Sequence, residues 1–104
     1  MAFTVAIRRC ASKDNWERVM ALMKSLRAKA VMQPGYLTGE TMFSYTSGGT
    51  IMVLSRWQNA RDWRAWESNP ERARVEECIN RLLSSPVVYE LYVNLPPDTP
   101  GGDG

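Results

Sequence analysis

The hydrophobic residues of this chain recur with a period near two, then near 3.6, then two in a pair of adjacent runs, then 3.6, then two again. That succession limits the fold more than any single motif does. In "FTVAIRR" (3–9), Phe3, Val5 and Ile7 alternate with Thr4, Ala6 and Arg8, as a half-buried strand requires. A helix should follow, because Trp16, Val19, Met20, Met23, Leu26 and Ala30 recur in steps of three and four and so share a face. Asp14, with Glu17 three residues on, has the spacing of a capping box at its start. "QPG" (33–35) stops it: Pro34 cannot continue a helix, and Gly35 accepts the turn.

Two β-rich runs, "YLTGETMFSY" (36–45) and "TIMVLSRW" (50–57), flank "TSGG" and predict a hairpin. Asn59 caps a short helix with Asp62 at its third position, and Pro70 after Asn69 opens another, since proline is preorganised for a first turn. Val75, Cys78, Ile79, Leu82 and Leu83 form the apolar stripe of that second piece. "SSP" ends it, and "VVYELYVNL" (87–95) reads as the last strand.

The order β-α-β-β-α-β with right-handed crossovers is ferredoxin-like α+β, a four-stranded antiparallel sheet carrying both helical regions on one face. Lengths agree, a helix of about 18 residues spanning ~27 Å and strands of eight to ten residues ~27–33 Å. Residues 1–95 are expected to form this domain. Residues 96–104, "PPDTPGGDG", have nothing to bury and are expected to be a disordered tail. The second face of the sheet is left bare. Thr, Met, Phe, Tyr and Val occupy both parities of strands two to four, so that face is too apolar to meet water comfortably. A second copy of the chain is the simplest cover, and a homodimer is expected.

Composition narrows the chemistry. The 104 residues cannot house two cores, and a net charge of +2 does not announce nucleic acid or an anionic membrane. No run approaches the ~20 apolar residues of a membrane span, and the N-terminus alternates where a signal peptide would be continuously apolar. Cys10 and Cys78 are too few for a disulfide framework and are expected as reduced thiols in a cytoplasm, although a bond between them is geometrically conceivable. The decisive absence is histidine, with a count of zero. It removes the commonest general base near neutral pH, a Ser-His-Asp or Cys-His arrangement, and histidine ligation of zinc or haem iron. No metal site and no cofactor are expected. Chemistry must run on Arg, Tyr, Asn, Trp, Cys or carboxylates, or on the substrate's own reactivity.

"SRWQNARDWRAWESNPERA" (55–73) holds three of the four tryptophans. Trp57 ends the third strand. Trp63 and Trp66 stand three apart on the short helix and share a flank. They either fill the core or wall a cavity between helices and sheet where a flat apolar ligand would be gripped.

At these residues the chain resembles a known family. "QPGYLTGETMFS", a hairpin, "SRW" closing a strand, "WRAWESNPERARVEE" on a broken helix and "SPVVYELY" on the last strand are similar to the antibiotic biosynthesis monooxygenase (ABM) domain, over about residues 3–93. The resemblance implies a dimeric α+β barrel in which two sheets pack face to face. One branch of the family oxygenates electron-rich phenols without metal or flavin. Another degrades haem with a first-strand asparagine, a helix tryptophan and a histidine. Trp66 matches that tryptophan, but the first strand offers Ile7, Arg8 and Arg9 for the asparagine, and "ESNPERARV" contains no histidine. Haem degradation is therefore not implied. The cofactor-independent branch implies a monooxygenase acting on a phenol- or quinol-like molecule in an apolar pocket. Trp66, Arg72 and Asn69 are its candidate catalytic residues, and Trp57, Trp63, Tyr36 and Tyr89 would bind substrate. Arg72 or Arg74 would hold an anionic oxygen; two apart on one helix, at most one can face the pocket. Tyr45 and Tyr92 are further candidate donors. Asn69 has a competing role as the cap before Pro70.

Other domains share the element order. An RNA-recognition motif needs base-stacking aromatics after a basic-Gly-aromatic start, and "GGTIMVLSR" has neither. A copper chaperone needs closely spaced thiols. Ten arginines stand against three lysines, but Asp62, Glu67, Glu71, Glu76 and Glu77 are interspersed among those of residues 56–81, as on an exposed, salt-bridged helix. The remaining rival to an enzyme is an ABM-like dimer that binds a small apolar ligand without turnover.

Overall fold

Strand β1 (Phe3–Cys10) is one of two inner strands of the sheet. Its odd residues Val5, Ile7 and Arg9 are buried beneath the helices, and its even residues Thr4, Ala6, Arg8 and Cys10 look the other way. The computed structural model describes residues 1–96; the expected tail, apart from Pro96, lies outside the described residues. After β1, a single 3-10 turn (Lys13–Asn15) leads into α1 (Trp16–Ala30). Hairpin strands β2 (Tyr36–Phe43) and β3 (Thr50–Trp57) come next, then α2 (Ala60–Glu67), α3 (Pro70–Asn80) and β4 (Val88–Val93).

All pairings are antiparallel in the order β2-β3-β1-β4, so the four-stranded ferredoxin-like sheet expected from the periods is present. The register places Ile7 opposite Val53 and Tyr89, and Val5 opposite Ser55 and Leu91. Directly opposed residues share a face, so Ile51, Val53, Ser55 and Trp57 join Val5 and Ile7 under the helices. Val19, Met23, Leu26 and Ala30 of α1 and Ile79 of α3 close the core from above. Each such large apolar side chain contributes roughly 1.5–3 kcal/mol by leaving water.

Three local expectations need correction. Neither Asp14 nor Asn15 caps α1 by a side-chain hydrogen bond. The chain enters through the 3-10 turn, and Asn15 Nδ2 donates to the carbonyl of Leu82 (3.1 Å), tying the helix entrance to the end of α3. Cys78 is exposed and outside the apolar stripe. Glu76 is buried, not part of a solvated charged face. The other caps stand: Asn59 Oδ1 accepts from Asp62 N (2.9 Å), and Gly35 takes φ +82° after Pro34.

The uncovered face carries three cross-strand rows: Met42-Met52-Arg8-Val88, Glu40-Leu54-Ala6-Glu90 and Thr38-Arg56-Thr4-Tyr92. Its middle is apolar, with charges distributed around it. Exposed Met42, Val88 and Tyr92 lie at the β2 and β4 edges of this face, while exposed Phe43, Leu91 and Val93 lie on the helix side of the same edge strands.

Candidate functional site

The short helix α2 exists because Asn59 caps it, and it ends where Pro70 starts the next helix. Within its eight residues Trp63 and Trp66 fall on one flank and turn inward onto the sheet. Trp57 ends β3 beneath them. The rings interlock edge to face: Tyr36 meets Trp57 at 5.3 Å between centroids, and Trp57 meets Trp63 at 5.8 Å. Such pairs add about 0.5–1.5 kcal/mol each beyond their burial.

The tryptophans do not fill the space between helices and sheet. A cavity of about 70 Å³ remains, walled by Trp57, Trp63, Trp66, Tyr36, Ile7 and Met23 among others, with Arg9, Arg72 and Ser55 as its inner polar groups. Its exposed rim is Arg27 on α1 facing Gly39, Glu40 and Thr41 on β2. Arg27 Nη2 donates to the carbonyl of Gly39 (2.7 Å), a strap across that rim. Four wider grooves among the described residues lie open on the surface, and none of these four has Arg9, Arg72 or Glu76 in its wall.

Behind the aromatic wall sits a buried charged cluster. Arg9 is 2% exposed, Arg72 and Glu76 are each 6% exposed. Arg9 Nη2 donates to Glu76 Oε1 (2.6 Å) and Arg72 Nη2 to Glu76 Oε2 (2.8 Å), so one carboxylate is shared by two guanidiniums. Tyr89 Oη donates to Glu76 Oε2 (2.7 Å) and accepts from Arg72 Nη2 (2.7 Å). Burial, then the charge of Glu76, hold the Tyr89 phenol above its ordinary pKa, so it stays neutral and serves as a donor. The Arg72 guanidinium also lies over the rings of Trp63 (5.1 Å) and Tyr89 (5.7 Å), contacts worth about 0.5–2 kcal/mol when desolvated. Two buried N–H groups have no partner among the described residues: Arg9 Nε and Trp63 Nε1. Trp57 differs, its Nε1 donating to Ser55 Oγ (3.0 Å).

Trp57, Trp63, Trp66, Tyr36 and Arg72 thus meet around one cavity. Tyr89 is outside the lining: it is 37% exposed, and its hydroxyl reaches in to Arg72 and Glu76. Asn69 is also outside it, and its Oδ1 accepts from the backbone N–H groups of Glu71 and Arg72 as the cap of α3. Arg74 is exposed, so Arg72 is the arginine of that pair that turns inward. Sequence reasoning missed Arg9, Glu76, Ser55 and Arg27. For Arg9 the signal was present: residues 3, 5, 7 and 9 share one parity. For Glu76 it was the helical step Arg72, Glu76, Ile79.

Among the described residues no group of three or more His, Cys, Asp or Glu could hold a metal ion, and no helix is long and apolar enough to cross a membrane.

No family model and no curated protein matches the chain by sequence. Solved structures do match by shape. A candidate antibiotic biosynthesis monooxygenase from Caulobacter crescentus superposes with TM-score 0.85 at 14% identity, covering 91% of each chain. A second such candidate, from Nitrosomonas europaea, gives 0.84 at 11% identity over 92% of each. A variant of SnoaB, a cofactor-independent oxygenase from Streptomyces nogalater, gives 0.80 at 13% identity over 89% of this chain and 92% of that one. At these identities the likeness is one of backbone architecture. The chain therefore carries the fold of the antibiotic biosynthesis monooxygenase domain proteins.

Proposed function

We propose that the protein is a cofactor-independent monooxygenase of an electron-rich phenol- or quinol-like molecule, bound in the cavity beside Trp66. The observation that carries the reading is the pairing of an indole-lined, largely apolar cavity with two inward guanidiniums. Phenol oxygenation without a cofactor draws its electrons from the substrate. A phenol and dioxygen become a quinone and water, one oxygen atom ending as the new carbonyl and the other in water. Loss of the phenolic proton makes the ring electron-rich enough to begin. A guanidinium at the phenolate oxygen favours that ionisation, and the apolar wall strengthens the interaction by excluding water. Trp63 and Trp66 would orient the ring, Tyr36 would flank it, and Arg72 would face its oxygen. Tyr89 positions Arg72. Asn69 keeps its capping role.

The cavity must open to admit a ring, since an apolar cavity that takes benzene measures about 150 Å³. The strap from Arg27 to Gly39 is the element to yield. The closed volume favours the second reading, a small ligand held without turnover. Incubation with a panel of polyphenols and quinols, following oxygen uptake, decides between them. Uptake that Arg72→Gln reduces at least tenfold supports the oxygenase. No uptake with any member overturns it.

The apolar middle of the open sheet face and the exposed residues Met42, Val88 and Tyr92 at its edges support a homodimer joined sheet to sheet. Sedimentation should give twice the chain mass; a monomer at every concentration sinks the assembly.

A further inference from the structure

We infer that the cavity selects a ligand bearing one negative charge, whose oxygen is held by Arg9 Nε and Trp63 Nε1 beside the Arg72 guanidinium. This deepens the reading above and rests on the cavity being the ligand site, but it does not require turnover.

Three observations converge. The buried cluster holds two arginines and one carboxylate, so its formal charge is +1, and Tyr89, held neutral by its surroundings, cannot offset it. Both oxygens of Glu76 are already engaged, one by each guanidinium. The two unpartnered buried N–H groups, Arg9 Nε and Trp63 Nε1, belong to residues that line the same cavity as Arg72. A buried charge without a counterion and buried donors without acceptors are both costly. One anionic oxygen in the cavity would answer all three at once, completing an alternation of two cations and two anions. Glu40 carries its carboxylate on the open sheet face, and Arg27, the remaining charge at the wall, is exposed at the rim, where water screens it. The small interior fits the anionic end of a ligand, with its body directed toward the rim between α1 and β2.

The test compares benzoate with benzamide, nearly identical in shape and differing in charge, by calorimetric titration of the purified protein. Benzoate should bind at least tenfold more tightly. Arg9→Gln, which takes the cluster from +1 to zero, should abolish the preference in protein whose circular dichroism is unchanged. Should that variant not fold, Trp63→Phe removes one donor without touching an ion pair, and should weaken benzoate severalfold more than benzamide. Equal affinities, or no measurable benzoate binding, overturn the inference. Oxygen uptake from quinols that benzoate does not inhibit sinks it and leaves the oxygenase reading standing. Selective benzoate binding without oxygen uptake does the reverse.

Discussion

Arg9 on β1 and Glu76 on α3, 67 positions apart in the chain, share a 2.6 Å ion-paired hydrogen bond with both side chains almost wholly out of water. The pair pins the third helix to the sheet beneath the cavity. Taking such charges out of water costs several kcal/mol per ion, offset here because each carboxylate oxygen meets a guanidinium and Tyr89 adds a further donor. Glu76→Ala should therefore cost about 3–5 kcal/mol, because it leaves two buried cations without a partner. Urea denaturation measures it. A loss under about 1 kcal/mol, typical of exposed pairs, would show that the cluster is solvated.

Tyr89 gives a pH signature. Its pKa in the folded protein is raised above the ordinary value of 10.0, first by burial and then by Glu76. The folded state therefore holds this proton more tightly than the unfolded chain does. The resulting stability is fully present below pH 10 and is lost as pH rises through the folded value. Tyr89→Phe should remove that part of the alkaline decline, seen as a flatter plot of unfolding free energy above pH 10. Identical plots for the two proteins would contradict it.

Two tryptophans of the wall should respond differently to the same change. Trp57→Phe and Trp63→Phe remove equal volume, but only Trp57 Nε1 has a hydrogen bond, to Ser55 Oγ. In the unliganded protein Trp57→Phe should be the more destabilising by about 0.5–1.5 kcal/mol. Thermal melts of the pair compare them directly, and the opposite order counts against the geometry.

Adjacent glycines in the hairpin loop separate backbone strain from exposure. Gly49 has φ +84°, and a Cβ there would press on the carbonyl oxygen of Ala11; one at Gly48 would meet nothing within 4 Å. Gly49→Ala should cost about 1–2 kcal/mol from the left-handed backbone alone, and more from the collision. Gly48→Ala should be close to neutral. Equal melting temperatures for the two variants would refute the turn.

The strap at the cavity rim predicts access. Arg27→Ala removes the bond to the Gly39 carbonyl, with a stability change of no more than about 1 kcal/mol for an exposed hydrogen bond. Acrylamide should then quench tryptophan fluorescence faster than in the parent protein. An unchanged quenching constant means that the rim opens elsewhere.

Much of the architecture is legible in the sequence, because the signals are local. Side-chain direction repeats every two residues in a strand and every 3.6 in a helix, so Val5 and Ile7, or Val19, Met23 and Leu26, declare a face by spacing alone. Asn59 and Asn69 announce helix starts within three residues of themselves, and Pro34-Gly35 announces a stop. The entrance to α1 was misread for the same reason: Asp14 and Glu17 have cap spacing, but Asn15 is engaged by Leu82, a partner no local window contains.

By itself the sequence determined the element order, the antiparallel sheet with helices on one side, the gathering of Trp57, Trp63 and Trp66, and a chemistry without histidine. Only the tertiary structure decided that these indoles leave a space, that Arg72 and not Arg74 turns toward it, and that Arg9 and Glu76 are interior. A charged residue at a core-facing position is read as an exception until its counterion is known. Here the counterion arrives from the far end of the chain, and burial of either charge depends on the other.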